Sequence, residues 1–382
     1  MSLLIVPVCG RTLAFPLVCD PEQAGDPLNF VSFQGPLRIV AIGGGTGLST
    51  LLRGLKKYSQ ARDGGPLVEI TAVVTVTDDG GSSGRLRRDF HVLPPGDIRN
   101  CMVALSEDET LLSKLFQYRF SQGQGLAGHS FGNLFLTALT GLTGDFAHAV
   151  QLSGDVLAIA GKIYPITAAN VVLEAILENG RIVRGETKIS ASKSRIHTVR
   201  LVPANCKPLR ETIEAIERAD LITLGPGSLF TSVIPNLLVK DVAKAIAKSA
   251  ATKAYFVNLM GQPGETVGFR ASDHVEAIYR HSAAPFLHHV IINTEPIRKA
   301  VLKLYAAEAA MPVENDVERL EELGIQVVGA PLVADKKFVR HDPDAAAEIA
   351  VKLAERARRL AVWSAASKDM SPAKRRRIPK NL

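Results

Sequence analysis

The sequence predicts an α/β protein with a Rossmann-like three-layer α/β/α core, a mainly parallel sheet and an accessory β-hairpin. An apolar run rich in β-branched residues leads into a glycine-rich loop and then into leucines at helical spacing, which is the order of a strand–loop–helix unit. Similar apolar runs recur along the chain, each followed by a loop and a helical pattern, at 67–77, 219–225, 254–259 and 288–293. An Asn-Gly pair within an alternating segment predicts the hairpin.

The first elements define the organised domain, which begins at Leu37. The strand 37–42 is followed by the glycines of 43–47, and leucines at 48, 51, 52 and 55 place a helix after them. With the strand 67–77 this makes a βαβ unit, which implies parallel strands and a right-handed crossover. A long loop is predicted from 78 to 97, and helices over 98–118 and 129–152.

The accessory hairpin is predicted over 171–189. Asn179 and Gly180 favour a type I′ turn, and charged residues alternate with apolar ones as in a sheet with one wet face. We therefore expect the hairpin to lie outside any ligand crevice.

The chain divides into four segments. An apolar but proline-broken stretch, 1–36, is predicted to be an irregular extension. The core domain spans 37–342, with the hairpin insertion at about 155–203. A helix over 343–365 closes the fold, and 366–382 is predicted to be a basic disordered tail.

Composition excludes several classes of protein. Hydrophobic residues make up 46% of the 382 residues and charged residues 22%, which excludes bulk disorder. The net charge is +7, but residues 368–382 carry five of these charges, so no specific nucleic-acid partner is expected. No run of about 18 apolar residues occurs, so no membrane insertion is expected. Four scattered cysteines suggest neither zinc nor disulfides, and a cytoplasmic location is expected.

Two glycine-rich loops join a strand to a helix. The first contains Gly44, Gly45, Thr46 and Gly47, and the second, 225–232, contains the ligand candidates Gly225, Gly227, Ser228 and Thr231. Glycines allow a close approach of the backbone, and a following helix offers free N–H groups to an anion. The first loop lacks the lysine of a Walker A motif and departs from GxGxxG, so it indicates a phosphate or nucleotide contact without naming the nucleotide.

Two further loops carry charge. The loop after 67–77 contains Asp78, Asp79, Ser82, Ser83 and Arg85, whose carboxylates suit sugar hydroxyls or Mg²⁺ and whose other groups suit phosphate. The loop 94–100 contains Asp97 and Asn100. Asp97 is equally well explained as the N-cap of a helix starting at Ile98.

Polar and aromatic candidates complete the predicted site. His129 and Asn133 lie where another helix opens, and His129 is a candidate general acid or phosphate partner, although a structural role is more common for a lone histidine. Asn258 and Gln262 follow the strand 254–259. Phe269 is a candidate for stacking on a base or for core packing, and Arg340 for a phosphate contact or for solvation. Together with the loops, four further side chains form one predicted ligand set: Asn258, Gln262, Phe269 and Arg340.

Taken in order, the motifs resemble the gluconeogenesis-factor (YvcK-like) family, a branch of the superfamily that includes CofD, the 2-phospho-L-lactate transferase. The resemblance covers about 37–342 and rests on GGGTGLS, TDDGGSSGRLR, LPPGDIRN, GHSFGNLF, GPGSLFTSVIPNL, QPGET and ASDHV. It implies a Rossmann-like core that binds a UDP-sugar such as UDP-N-acetylglucosamine, and a cytoplasmic protein linked to cell shape, envelope synthesis and gluconeogenic growth. Gly261 stands where the family usually has Thr, and Phe269 where it often has Tyr.

Three functional interpretations follow. The leading one is a UDP-sugar-binding regulator without turnover and without a required cofactor. The alternative is a Mg²⁺-dependent transferase of a nucleotide-activated phosphate ester, with Asp78 and Asp79 holding the metal. A dinucleotide oxidoreductase is the weakest, because the first loop breaks the dinucleotide fingerprint. Whether the ligand is turned over and whether the chain forms homo-oligomers stay open.

Overall fold

A computed structural model describes residues 3–8, 11–16, 35–60, 67–106, 111–192, 194–282, 284–305, 310–334 and 338–368. Its strands are β1 Leu3–Val8, β2 Arg11–Pro16, β3 Leu37–Gly43, β4 Val68–Val74, β5 Lys162–Pro165, β6 Val172–Leu177, β7 Ile182–Arg184, β8 Ile196–Val202, β9 Leu221–Leu224, β10 Thr252–Phe256, β11 His289–Asn293 and β12 Gln326–Ala330. Its helices are α1 Gly45–Ser59, α2 Gly81–Phe90, α3 Gly96–Leu105, α4 Leu111–Gln117, α5 Phe131–Thr143, α6 Phe146–Val156, α7 Glu186–Ser190, α8 Arg210–Arg218, α9 Ile234–Leu237, α10 Val242–Lys248, α11 Ala271–Ser282, α12 Lys299–Tyr305, α13 Val317–Glu322 and α14 Pro343–Lys368.

The core is a seven-stranded parallel sheet in the order β12-β11-β10-β9-β3-β4-β5. Its central strands are mostly apolar and buried, apart from Arg38 and Glu69 near the starts of β3 and β4, as expected for parallel strands covered on both faces. The predicted α/β fold class is confirmed. From β3 the chain builds outward to β4 and β5 on one side, whereas β9 to β12 extend on the other. The boundary between β3 and β9 is therefore a topological switch point, where open α/β sheets bind ligands.

Helix α14 closes the sheet by packing on α1, β3, β9 and β10. Its alanines allow a close approach, and a Cβ at Gly54 of α1 would lie only 1.9 Å from the carbonyl oxygen of Pro343. Arg358 donates to Asp220 at the start of β9 and, at 2.9 Å, to the carbonyl oxygen of Pro36. The C-terminal helix thus fixes the beginning of the domain.

The accessory element is a three-stranded antiparallel sheet, β7-β6-β8, rather than a hairpin alone. The predicted type I′ turn is wrong. Gly180 has φ of +78°, but Asn179 is not among the positive-φ residues, and Gly180 N–H bonds to Leu177 O at 2.9 Å. The connection is therefore the hairpin loop that is longer than two residues, in which a turn is followed by one glycine in the left-handed conformation. The strand prediction also ran too far, because Glu186–Ser190 is the short helix α7.

Three other predicted elements differ from the structure. The predicted loop 78–97 contains helix α2. Its sequence, GSSGRLRRDF, begins with glycines and serines, whose low helix propensity does not predict a helix. It is stabilised by tertiary packing, since Leu86 is buried and the helix contacts α5. The helix predicted over 98–118 is divided, with α3 ending at Leu105 and α4 beginning at Leu111. The helix predicted over 129–152 is divided too, because Gly144 adopts a left-handed conformation that ends α5 before α6 begins at Phe146.

The termini correct one expectation. Residues 1–36 are not irregular throughout, because β1 and β2 form an antiparallel pair. Residues 17–34 and the tail 369–382 lie outside the described residues. The predicted disorder of the tail therefore stays a prediction. Among the described residues no helix is long and apolar enough to cross a membrane.

Candidate functional site

The two glycine-rich loops, 43–47 and 225–232, touch each other at the switch point. A Cβ at Gly47 would lie 2.4 Å from the carbonyl oxygen of Pro226 and 2.8 Å from Gly227 Cα. Asn236 of α9 donates to the carbonyl oxygen of Gly43 at 3.2 Å and thereby ties the second loop to β3. Thr77 Oγ1, just before the loop 78–85, bonds to the carbonyl oxygen of Thr231 at 3.3 Å, so the segment after β4 also reaches the second glycine loop at this edge of the sheet.

Asp97 lies under the first loop. It is not the N-cap of its own helix, since α3 begins at Gly96 with Pro95 as its cap. Its carboxylate instead accepts from the backbone N–H of Gly45, and a Cβ at Gly44 would lie 2.6 Å from its Oδ2. Burial, reinforced by the nearby Asp78 carboxylate, raises the pKa of Asp97 to about 7. The neutral and charged forms of this group are therefore both accessible near neutral pH.

Asp78 and Asp79 have different partners. Asp78 accepts from the backbone N–H of Gly80 at 2.9 Å, and a Cβ at Gly96, next to Asp97, would lie 2.6 Å from its Oδ2. Asp79 Oδ1 accepts from both the N–H and the hydroxyl of Thr187, at 2.9 and 2.7 Å. Asp79 is thus an anchor for α7 of the accessory sheet. The carboxylate that faces the same space as Asp78 is Asp97.

The carboxylates at this edge of the sheet are the candidate ligands of a metal ion. The described residues contain no group of three or more His, Cys, Asp or Glu side chains placed to hold one. Two carboxylates, Asp78 and Asp97, remain, and Mg²⁺ is commonly held by one or two carboxylates together with substrate phosphates. Asp79 Oδ1 is engaged by both donors of Thr187, and the structure adds Asp97 to the predicted pair Asp78 and Asp79 as a candidate ligand.

Two glutamates, the buried Glu265 and the half-buried Glu186, were missed by the sequence argument. Glu265 Oε2 accepts from the N–H of Phe230 at 3.2 Å and Oε1 from the hydroxyl of Thr231 at 3.1 Å, so it fixes the second glycine loop. Glu186 of α7 has a buried Oε2 without a hydrogen-bond partner. Burial, followed by the charges of Asp97 and Asp78, raises its pKa well above the ordinary value. Both glutamates stand in a Gly-Glu-Thr tripeptide, a recurrence that was the available sequence signal.

The position of Glu186 corrects the expectation that the accessory element stays outside the crevice. The turn at Gly180 does point away, with nothing within 4 Å of its Cβ position. The helix α7 that follows the hairpin nevertheless brings Glu186 near Asp97 and Asp78, and its Ser190 donates to Glu265 Oε1 at 3.2 Å.

Two hydrogen-bonded chains link other predicted residues. Asn258 donates to Gln262 at 2.9 Å, and Gln262 donates to Ser228 at 2.8 Å, which joins the end of β10 to the second glycine loop. Ser82 Oγ lies 2.9 Å from Nδ1 of His129 and accepts from Asn133 at 3.2 Å. All three members of this second chain are buried, and burial together with Arg85 lowers the pKa of His129. The Ser82 hydroxyl and His129 Nδ1 therefore share one hydrogen bond in this buried chain.

The remaining predicted residues are less central. Phe269 is half-buried and packs edge-on against Phe230 and His274, with centroids 6.1 and 5.6 Å apart, which is the core-packing alternative. Arg340 is exposed beside His341, whose Nε2 bonds to Val257 O at the end of β10, so Arg340 lies at the ligand edge of the sheet. Arg85 donates to the carbonyl oxygen of Ala127 at 2.8 Å, and Asn100 accepts from Arg99. Thr46 is exposed at the start of α1.

Fold and site together define a Rossmann-like α/β protein whose glycine-rich crevice lies at the switch point of a parallel sheet. The family model described as 2-phospho-L-lactate transferase CofD matches residues 39–333. The Gluconeogenesis factor of Bacillus subtilis is 47% identical over 317 residues, which cover 83% of this chain and 98% of that protein. The Gluconeogenesis factor of Halalkalibacterium halodurans is 47% identical over 81% of this chain and 94% of its own length.

A solved structure agrees with these relatives. A protein from Bacillus halodurans, described as a member of the upf0052 family, superimposes with a TM-score of 0.79 at 45% identity and covers 83% of this chain and 100% of that one. The chain therefore belongs to the gluconeogenesis factor family, within the wider group that the CofD family model describes.

Proposed function

We propose that this protein binds a UDP-sugar, such as UDP-N-acetylglucosamine, and acts as a regulatory gluconeogenesis factor that supports cell shape and envelope synthesis on gluconeogenic carbon. The observation that carries the proposal is the contact between Gly47 and Gly227 at the switch point. Two glycine loops that meet there present backbone without intervening side chains at the start of α1, and the N-terminus of α1 supplies N–H groups and a favourable dipole for the charge of a diphosphate.

Residues around this contact supply specificity. Thr46 is exposed at the start of α1. Asn258 donates to Gln262, and Gln262 donates to the Ser228 hydroxyl oxygen, which leaves the Ser228 hydroxyl proton to be donated to another acceptor. Arg340 lies at the same edge and is the proposed partner of a phosphate. Phe269 is proposed as a base contact through its exposed part only, since its edges already contact Phe230 and His274.

The binding proposal is tested by calorimetric titration with UDP-N-acetylglucosamine, GDP and NAD in magnesium-free buffer. We expect a saturable signal with the UDP-sugar alone. Arg340→Ala should weaken binding about tenfold and flatten its salt dependence, because a phosphate contact to a charged donor is electrostatic. Arg181→Ala, an exposed change on the accessory hairpin, is the matched control and should bind like the parent. Tighter binding of NAD than of the UDP-sugar would contradict the proposal.

A second candidate function is a Mg²⁺-dependent transferase of a nucleotide-activated phosphate ester. It is favoured by the neighbouring carboxylates of Asp78 and Asp97 and by the match to the CofD family model. When bound, the ion would neutralise phosphate charge. In this case Asp78→Asn and Asp97→Asn should each remove Mg²⁺-dependent GDP binding. Equal GDP affinity with and without Mg²⁺ in the parent protein would exclude this candidate.

A further inference from the structure

A cavity of about 700 Å³ lies beside Asp79, between α2 and the accessory sheet, and no residue of the two glycine loops 43–47 and 225–232 is among its lining residues. One wall is α2, through Gly81, Gly84, Arg87 and Arg88, and the other is the accessory sheet and α7, through Val172, Arg184, Thr187 and Lys188. Its volume is within the range of small-molecule sites. The bond between Asp79 and Thr187 joins the two walls.

The lining is strongly basic. Arg87, Arg88, Arg184 and Lys188 contribute four positive charges, and Asp79 is the single carboxylate among the lining residues. Both donors of Thr187 already bond to Asp79 Oδ1, so part of the negative charge at this wall is used within the protein. Cations gathered around a concave surface raise the local concentration of anions.

These cations also lack the partners that comparable residues have. Within the described ranges, none of the four makes an ion pair with a carboxylate, whereas Arg200, Arg210 and Arg319 each do. Arg184 lies opposite Glu174 in the strand register, yet the Glu174 carboxylate accepts from Arg200 instead. Arg87 is half-buried and donates to the carbonyl oxygen of Val171, which holds its guanidinium in the wall. Arg87 also interacts with the nearby carboxylates of Asp79 and Asp78, so the excess positive charge along this cavity comes from Arg88, Arg184 and Lys188.

We propose that this cavity is a second anion site that binds a phosphate-bearing small molecule, separate from the nucleotide crevice. Arginines pair with phosphate oxygens through parallel N–H donors, and Lys188 adds a compact charge. Gly81 has open space at its Cβ position, so the backbone at the start of α2 permits close approach of an anion. Because α2 carries Ser82 toward His129 and Arg87 toward the cavity, one helix borders both sites.

The test uses inorganic pyrophosphate and inorganic phosphate as probes with the full chain in magnesium-free buffer. The double variant Arg184→Gln and Lys188→Gln changes two exposed side chains, so folding should be retained, and circular dichroism checks it. We expect the parent to bind pyrophosphate at millimolar or lower concentration and the double variant to lose at least about tenfold in affinity. Arg181→Gln on the same hairpin, outside the cavity, should bind like the parent.

The remaining outcomes overturn the proposal. No binding of either probe to the parent means that the cavity is not an anion site. Equal binding by the double variant places the anion elsewhere, including the glycine crevice. Titration of UDP-N-acetylglucosamine is run separately on the same variants, and the cavity changes should leave it unchanged. Failure of the nucleotide-sugar proposal therefore leaves the pyrophosphate comparison interpretable.

Discussion

At the scale of single residues, the crevice depends on positions where a side chain is not tolerated. Gly47 is such a position, because its missing Cβ allows the backbones of the two glycine loops to meet. The same reasoning explains why a glycine-rich pattern was readable as a ligand loop: small residues mark close backbone approach, whatever element they occupy.

Gly47→Ala is expected to lower the free energy of unfolding by about 1–3 kcal/mol, since the new methyl group would overlap the backbone of Pro226 and Gly227. Thermal or urea unfolding measures this. Gly141→Ala is the control: Gly141 lies within α5 with nothing within 4 Å of its Cβ position, so Ala should stabilise by up to about 1 kcal/mol. Equal midpoints for the two variants would contradict the close approach.

A buried histidine gives the protein a pH-dependent stability. Burial lowers the pKa of His341 to about 4, and its Nε2 bonds to Val257 O at 3.2 Å. The unfolded chain binds the proton near pH 6.5, so the folded state binds fewer protons between about pH 6.5 and 4, and stability falls as the pH falls through this window by up to about 3 kcal/mol. Stability above pH 7 is unaffected by this group.

Urea unfolding at pH 7 and pH 4.5 tests the histidine. His341→Gln keeps a donor for Val257 and should make the acid-induced loss smaller, whereas His148→Gln at an exposed helix position should leave it unchanged. His289, whose pKa burial also lowers to about 4, keeps part of the loss in both variants. An identical pH dependence in His341→Gln and parent would disprove the assignment.

At the scale of elements, the packing of α1 on α14 sets the geometry of the first loop, because α1 begins in that loop. Gly54→Ala would place a methyl group 2.7 Å from Ala347 Cβ and closer still to the Pro343 carbonyl oxygen. We expect a loss of about 3 kcal/mol, at the upper end for overpacking. Denaturant midpoints measure it, again against Gly141→Ala, and an unchanged midpoint would show that the helices separate without cost.

At the scale of the whole molecule, the accessory sheet is joined to the core through Asp79 and Thr187. Thr187→Val removes the hydroxyl bond of 2.7 Å while leaving the N–H bond, so the accessory strands 172–202 should exchange amide hydrogens faster while β3 and β9 stay protected. Thr187→Ser keeps the hydroxyl and should restore the parent pattern. Faster exchange throughout the sheet, or none anywhere, would contradict a local anchor.

Much of this architecture was readable from the sequence. The apolar, β-branched runs determined the parallel strands, since only strands buried on both faces are apolar throughout. The glycine loops and their order indicated the edge of the sheet at which these loops meet, because parallel strands bring their carboxyl ends together. Helix α2 was missed because its glycines and serines have low helix propensity, and packing of Leu86 outweighs that propensity.

What only the tertiary structure decided is which charges share a space. Asp78 and Asp79 are neighbours in the chain, yet one faces Asp97 and the other bonds to Thr187, more than a hundred residues away. Glu186 reaches the crevice from the accessory sheet, and Arg184 and Lys188 face Arg87 across a cavity. The spacing of apolar residues along the chain selects strand or helix, because each element buries residues at its own period. The partners of polar groups depend on contacts between distant segments, and these exist only once the chain has folded.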